Sequence, residues 1–105
     1  MNESIKLKEI VRYQDQAIVS KTLVEKASGT VTLFAFAKDQ ALSEHTAPFD
    51  AMVQVIDGRA EIRIAGEPLL VGEGDMVVMP ANKSHALKAL TPFKMLLTMI
   101  RSESK

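Results

Sequence analysis

Turn chemistry recurs so often along this chain that almost no apolar segment has room to be a helix of ordinary length. Ser28-Gly29, Pro48, Asp57-Gly58, Ala65-Gly66-Glu67-Pro68, Gly72-Glu73-Gly74-Asp75, Pro80 and Thr91-Pro92 each interrupt it. Glycine reaches positive φ without steric cost, and proline fixes φ and removes a backbone donor, so these breaks separate short extended runs. Residues 17 to 26 and 30 to 37, rich in β-branched and aromatic side chains, read as a hairpin through Ser28-Gly29. Residues 42 to 46 form a short strand stopped by Pro48. Residues 49 to 56 end at Asp57-Gly58, the strongest short hairpin signal here, and feed Ala60-Glu61-Ile62-Arg63-Ile64, whose alternation suits a strand with one wet face. Residues 69 to 71, 76 to 79, 84 to 90 and 93 to 100 complete about eight or nine strands, which predicts an antiparallel sandwich or barrel. Residues 5 to 12 are ambiguous: Leu7, Ile10 and Val11 fit a helical turn, Ile5 and Leu7 fit alternation, and the reading is a short helix or loose arm.

Composition narrows the function classes. The 105 residues carry 13 Lys+Arg and 13 Asp+Glu, so there is no basic excess of the kind a nucleic-acid surface needs, and no nucleic acid is expected as partner. There is no cysteine, which excludes disulfides and thiolate metal sites. Apolar runs such as Met76-Val77-Val78-Met79 fall far short of the roughly 20 residues that cross a bilayer, and the N-terminus lacks a signal-peptide core. The expectation is one globular domain over residues 1 to 105, cytoplasmic, with no membrane partner. Phosphate loops, nucleophile elbows and heptads are absent from the sequence.

Two stretches are more specific. Residues 45 to 58 read His-Thr-Ala-Pro-Phe-Asp-Ala-Met-Val-Gln-Val-Ile-Asp-Gly, and residues 74 to 89 read Gly-Asp-Met-Val-Val-Met-Pro-Ala-Asn-Lys-Ser-His-Ala-Leu-Lys-Ala. They resemble the two motifs of the cupin family. The first motif of that family has a His-x-His pair, Glu three or four residues on, and Gly seven after the Glu; the second runs Gly, five residues, Pro, x, Gly, two residues, His, three residues, Asn. His45, Gly58, Gly74, Pro80 and His85 match. Asn82 stands for the middle Gly, a mild change because Asn tolerates positive φ. Ala47 replaces the second His, Ala51 the Glu, and Ala89 the final Asn. The resemblance implies an all-β fold: a cupin-type double-stranded β-helix, or jelly-roll barrel, of antiparallel strands with a short N-terminal helix or arm. It also implies a homodimer, a habit of the family that would cover exposed sheet edges.

Cupin metal sites use imidazole and carboxylate groups pointing into the barrel around Fe, Mn, Ni, Cu or Zn, so the resemblance implies a divalent transition metal held by His45 and His85 facing each other across the barrel. Half of that cage is missing. With Ala47 and Ala51 at the lost positions, the barrel mouth should be wide and apolar, as a ligand cleft is. The candidate pocket is therefore His45, Ala47, Ala51, Gln54 and His85, with the two imidazoles as metal ligands or polar anchors. Ala51, Val53 and Val55 share the inward parity; Gln54 reaches the pocket only if a bulge near Asp50 shifts the register. Glu44 points away from His45 by the same parity, and Asp50 is expected in water. Two functions stand open: a barrel binding a small organic molecule, and a metal-dependent enzyme of dioxygenase or isomerase type. The six methionines invite a copper reading through their thioethers, but Met52, Met76, Met79, Met95 and Met99 lie in apolar strands and are expected to fill core gaps. Phe34 and Phe36 share one strand face and are expected in the core.

Overall fold

The computed structural model describes residues 3–102. One helical turn, α1 (Leu7–Ile10), precedes nine strands: β1 (Ile18–Lys26), β2 (Gly29–Phe36), β3 (Ala41–His45), β4 (Phe49–Asp57), β5 (Arg59–Ile64), β6 (Glu67–Gly72), β7 (Met76–Met79), β8 (His85–Ala89) and β9 (Phe93–Arg101). They form a five-stranded sheet in the order β1-β2-β9-β4-β7 and a four-stranded sheet in the order β3-β8-β5-β6, with antiparallel pairing throughout. Two such sheets, facing each other with their inward residues interleaved, make the expected jelly roll.

The strand alternation decides what lies between the sheets. Ala51, Val53 and Val55 of β4, Ala60 and Ile62 of β5, and Phe93 and Met95 of β9 all turn inward and are buried. Phe36 joins them, its ring 5.7 Å from that of Phe93 and tilted by 55°. Side chains of this size contribute about 1.5–3 kcal/mol each when taken out of water. Phe34 packs at the edge of the same cluster, as its spacing from Phe36 requires.

The opposite parity builds a second layer. Leu33 and Ala35 face outward from β2, where Val11, Leu7, Ile10 and Tyr13 of the N-terminal arm cover them. The helical spacing of Leu7, Ile10 and Val11 thus prevails, for a single turn, and Ile5 is left 40% exposed. Polar contacts fasten the arm. The Tyr13 hydroxyl donates to Asp57 Oδ2 at 2.6 Å. The buried Lys94 ammonium donates to the Lys8 carbonyl at 2.5 Å and lies 4.8 Å from the Tyr13 ring centroid.

Two sequence expectations change. Asp57-Gly58 is a turn but not a hairpin: β4 belongs to the five-stranded sheet and β5 to the four-stranded one, so the pair carries the chain from one sheet to the other. Gly58 sits at φ 78°, and a Cβ there would run into the Pro92 carbonyl oxygen. The dipeptide is required by a tight corner, and a corner needs the same positive φ as a hairpin. The true two-residue hairpin is Ala65-Gly66, with φ of 51° and 83°, where Ile64 pairs with Glu67. Pro68, expected in the turn, instead lies inside β6; the strand is a sheet edge, so a missing N–H costs no ladder bond.

Candidate functional site

His45 ends β3 and His85 opens β8, and the two residues are directly paired across that ladder. They are therefore neighbours within one sheet, not partners facing across the barrel as the motif resemblance implied. The reason is topological: β3 and β8 are adjacent, and the irregularity between Leu42 and His45 brings both rings to the same end of the sheet. The rings meet edge-on, with centroids 4.3 Å apart at 68° and Nε2 atoms 3.1 Å apart.

Each ring is held by its other nitrogen. His45 Nδ1 lies 2.7 Å from the Ser43 carbonyl oxygen, and His85 Nδ1 lies 3.3 Å from that of Lys83. A carbonyl only accepts, so both contacts call for Nδ1–H, which assigns the proton by its partner. Both Nε2 lone pairs then converge on one region. That arrangement suits an electrophile or a hydrogen-bond donor between or beside them; otherwise one ring must change tautomer and give up its carbonyl. Burial pushes His85 below the usual imidazole range; the Lys83 carbonyl opposes this shift and the adjacent His45 ring adds to it. At neutral pH His85 accordingly offers a lone pair.

The two motifs are stitched together beside this pair. Ala81 N donates to Asp50 Oδ1 at 2.9 Å, and Asn82 N donates to the Ala47 carbonyl at 2.9 Å. Asn82 has φ 65°, the conformation expected where the family has glycine. Asp50 is exposed, as expected, with its carboxylate spent on the loop that leads into His85.

Behind the imidazoles a small cavity of about 70 Å³ runs between the sheets. His45, Ala47, Ala51 and His85 line it together. Gln54 does not: it is exposed and pairs with Met76 and Leu96 on the outer face. β4 keeps regular register through Asp50, and its bulge falls later, between Val55 and Asp57, so nothing turns Gln54 inward. Glu44 is likewise exposed and outside the cavity.

The structure adds residues that the motifs did not single out: Leu42 and Phe49, and the thioethers of Met79, Met95 and Met99, all on the cavity wall. Ala51, at the position of the family's Glu, pairs with Met79 on one side and Met99 on the other. Their strand parity was legible, but their partnership with Ala51 depends on which strands become neighbours. Met79 and Met95 are buried, as core-filling methionines would be, whereas Met76 is 55% exposed and packs no core.

The donor set can be tested against the metal that the fold implies. Among the described residues, no group of three or more His, Cys, Asp or Glu side chains converges. Two imidazoles without a carboxylate do not fit the four-ligand cage of a divalent metal in this family.

Comparison with known proteins agrees with the architecture. The family model for the cupin domain matches residues 32–100. A conserved protein of unknown function from Streptococcus pyogenes superposes with a TM-score of 0.94 at 36% identity, covering 99% of this chain and 91% of that one. A cupin 2 conserved barrel domain protein from Leptotrichia buccalis is 43% identical with a TM-score of 0.89, over 92% of this chain and 47% of that one. A cupin superfamily protein from Desulfitobacterium hafniense has a TM-score of 0.92 at 22% identity, covering 97% and 94% of the two chains. No curated protein sequence matches. The matched segment runs from within β2 to residue 100 in β9, carrying both motif loops and the paired imidazoles, and the chain belongs to the cupin family.

Proposed function

We propose that this barrel binds a small organic molecule, with His45 and His85 as its polar anchor. The observation that carries the reading is the cavity wall itself: apart from the two imidazoles it is made of aliphatic, thioether and phenyl groups. An apolar body would pack against Leu42, Phe49, Ala51 and Leu97. The two Nε2 atoms hydrogen-bond to each other at 3.1 Å, and a donor on the occupant would replace the proton they share, with both Nδ1 protons then directed to carbonyls. The favoured occupant is compact and mostly apolar, with one hydroxyl or N–H donor. The alternative, a dioxygenase- or isomerase-type metal enzyme with His45 and His85 as ligands, draws less support because no carboxylate among the described residues joins the pair.

A titration of metal-free protein with phenols, short alcohols and amides, followed by amide and methyl NMR, tests the reading. Shifts should concentrate on residues 42 to 51, 79 and 85 to 87, and Ala47→Phe or Ala51→Phe should abolish them while the fold's dispersion persists. Shifts spread over the outer faces, or equal binding by both filled variants, would sink it.

The same reading includes a homodimer through the free strand edges. β6 and β7 close one edge of each sheet, joined by the turn at Gly72–Asp75, and Leu70, Met76 and Val78 are 70%, 55% and 52% exposed there. Apolar side chains on an unpaired edge favour a partner strand or face.

A further inference from the structure

We propose that His45 and His85, together with the thioethers of Met79 and Met99, form a binding site for monovalent copper. The proposal goes beyond the organic-ligand reading and does not depend on it. It starts from the vacated carboxylate position. Ala51 stands where the family's Glu would supply oxygen, and its direct ladder partners on both sides are methionines that face the same cavity. Directly opposed residues in antiparallel strands have Cβ atoms about 4.5–5.5 Å apart, so both flexible thioether chains start beside the space that a methyl side chain leaves open. The hard donor has gone, and two soft ones border its place.

The nitrogen side is equally committed. Two Nε2 atoms 3.1 Å apart can both reach one ion at a bond length of about 2.1 Å once the ion replaces the proton between them. The carbonyls of Ser43 and Lys83 fix the opposite nitrogens, the kind of outer support that orients metal-bound imidazole. Thioether donors without oxygen favour Cu(I) over Mg or Mn, which draw on carboxylate, carbonyl or water, and over Zn, which accepts imidazole but takes its sulfur from thiolate. The open mouth of the cavity next to the exposed His45 provides an entry path.

Anaerobic titration with Cu(I), in competition with a chromophoric Cu(I) chelator and with no organic compound present, is the test. Wild-type protein should take up one equivalent. His45→Ala and His85→Ala should each lose it. Met79→Leu/Met99→Leu, which conserves volume and should remain folded by far-UV dichroism, should weaken Cu(I) at least tenfold and change Zn²⁺ affinity less than threefold. X-ray absorption of the Cu(I) form should show sulfur as well as nitrogen neighbours, and only nitrogen in the double Leu variant. Absence of stoichiometric Cu(I), tighter Zn²⁺ than Cu(I), or undiminished Cu(I) binding by the double Leu variant would overturn the site. The fragment titration of metal-free protein can fail or succeed without touching this result.

Discussion

His85 joins the candidate site to the pH dependence of the fold. Its pKa in the folded chain is lowered, chiefly by burial, so it is neutral where an unfolded imidazole begins to take a proton. The stability it contributes is complete above about pH 6.5, the unfolded value, and declines as pH falls towards and through the lower folded value. Denaturant melts at pH 7.5, 6.5 and 5.5 should show that loss in wild type and a flatter profile in His85→Gln; parallel profiles would remove His85 as the cause. Thr30 gives a simpler expectation. Its Oγ1 is buried with no hydrogen-bond partner among the described residues, and a valine of nearly the same shape has no such group to desolvate. Thr30→Val should stabilise the protein by about 1 kcal/mol, a rise of roughly 4–8 °C in a thermal melt. Neither residue stands out equally in the sequence: His85 does through motif spacing, while the unsatisfied hydroxyl of Thr30 depends on atomic surroundings that no spacing encodes. Asn82 was legible because its positive φ follows from residue chemistry alone.

At the scale of elements, the arm and the corner meet in one contact. Tyr13 donates from the arm to Asp57 at the end of β4, and burial, the bond itself and the carboxylate's charge push its phenol well above the usual tyrosine range. It is the only tyrosine in the chain, so absorbance at alkaline pH reads it alone. Phenolate should form only well above pH 10, and Asp57→Asn should move the transition down; a wild-type transition near the ordinary value would mean the arm does not dock in solution. Tyr13→Phe should cost about 1–2 kcal/mol, the worth of a part-buried hydrogen bond to a charged acceptor. Strand positions were readable because the period is short and the turn residues are explicit, as the clean alternation from Ala60 to Ile64 illustrates. Sheet membership was not. Asp57-Gly58 demands a local backbone conformation, and whether the next strand returns beside β4 or crosses to the other sheet is settled by which faces must be buried. The placement of His45 beside His85 has the same origin: spacing marked both residues, and only the β3–β8 pairing made them neighbours.

For the whole molecule, the homodimer proposal predicts a sedimentation mass near twice 11.5 kDa. Met76→Glu/Val78→Glu should shift it to that of a single chain with the thermal melt little changed; an unaltered mass would place any interface elsewhere. The barrel class was legible from turn density and the two motif stretches, while the packing of Ala51 between two methionines required the assembled sheet. That assembly has a temporal side. The larger sheet has β9 at its middle, between β2 and β4, and the smaller has β8 between β3 and β5. Each sheet is thus held together by a strand that a ribosome delivers after the strands on either side of it. Until residues 85 to 101 emerge, β2, β4 and β5 each lack one of their two neighbours and β3 lacks its only one, and the growing chain has edges to be shielded from other chains. For this barrel, the centre of neither sheet can close until β8 and β9 have been made.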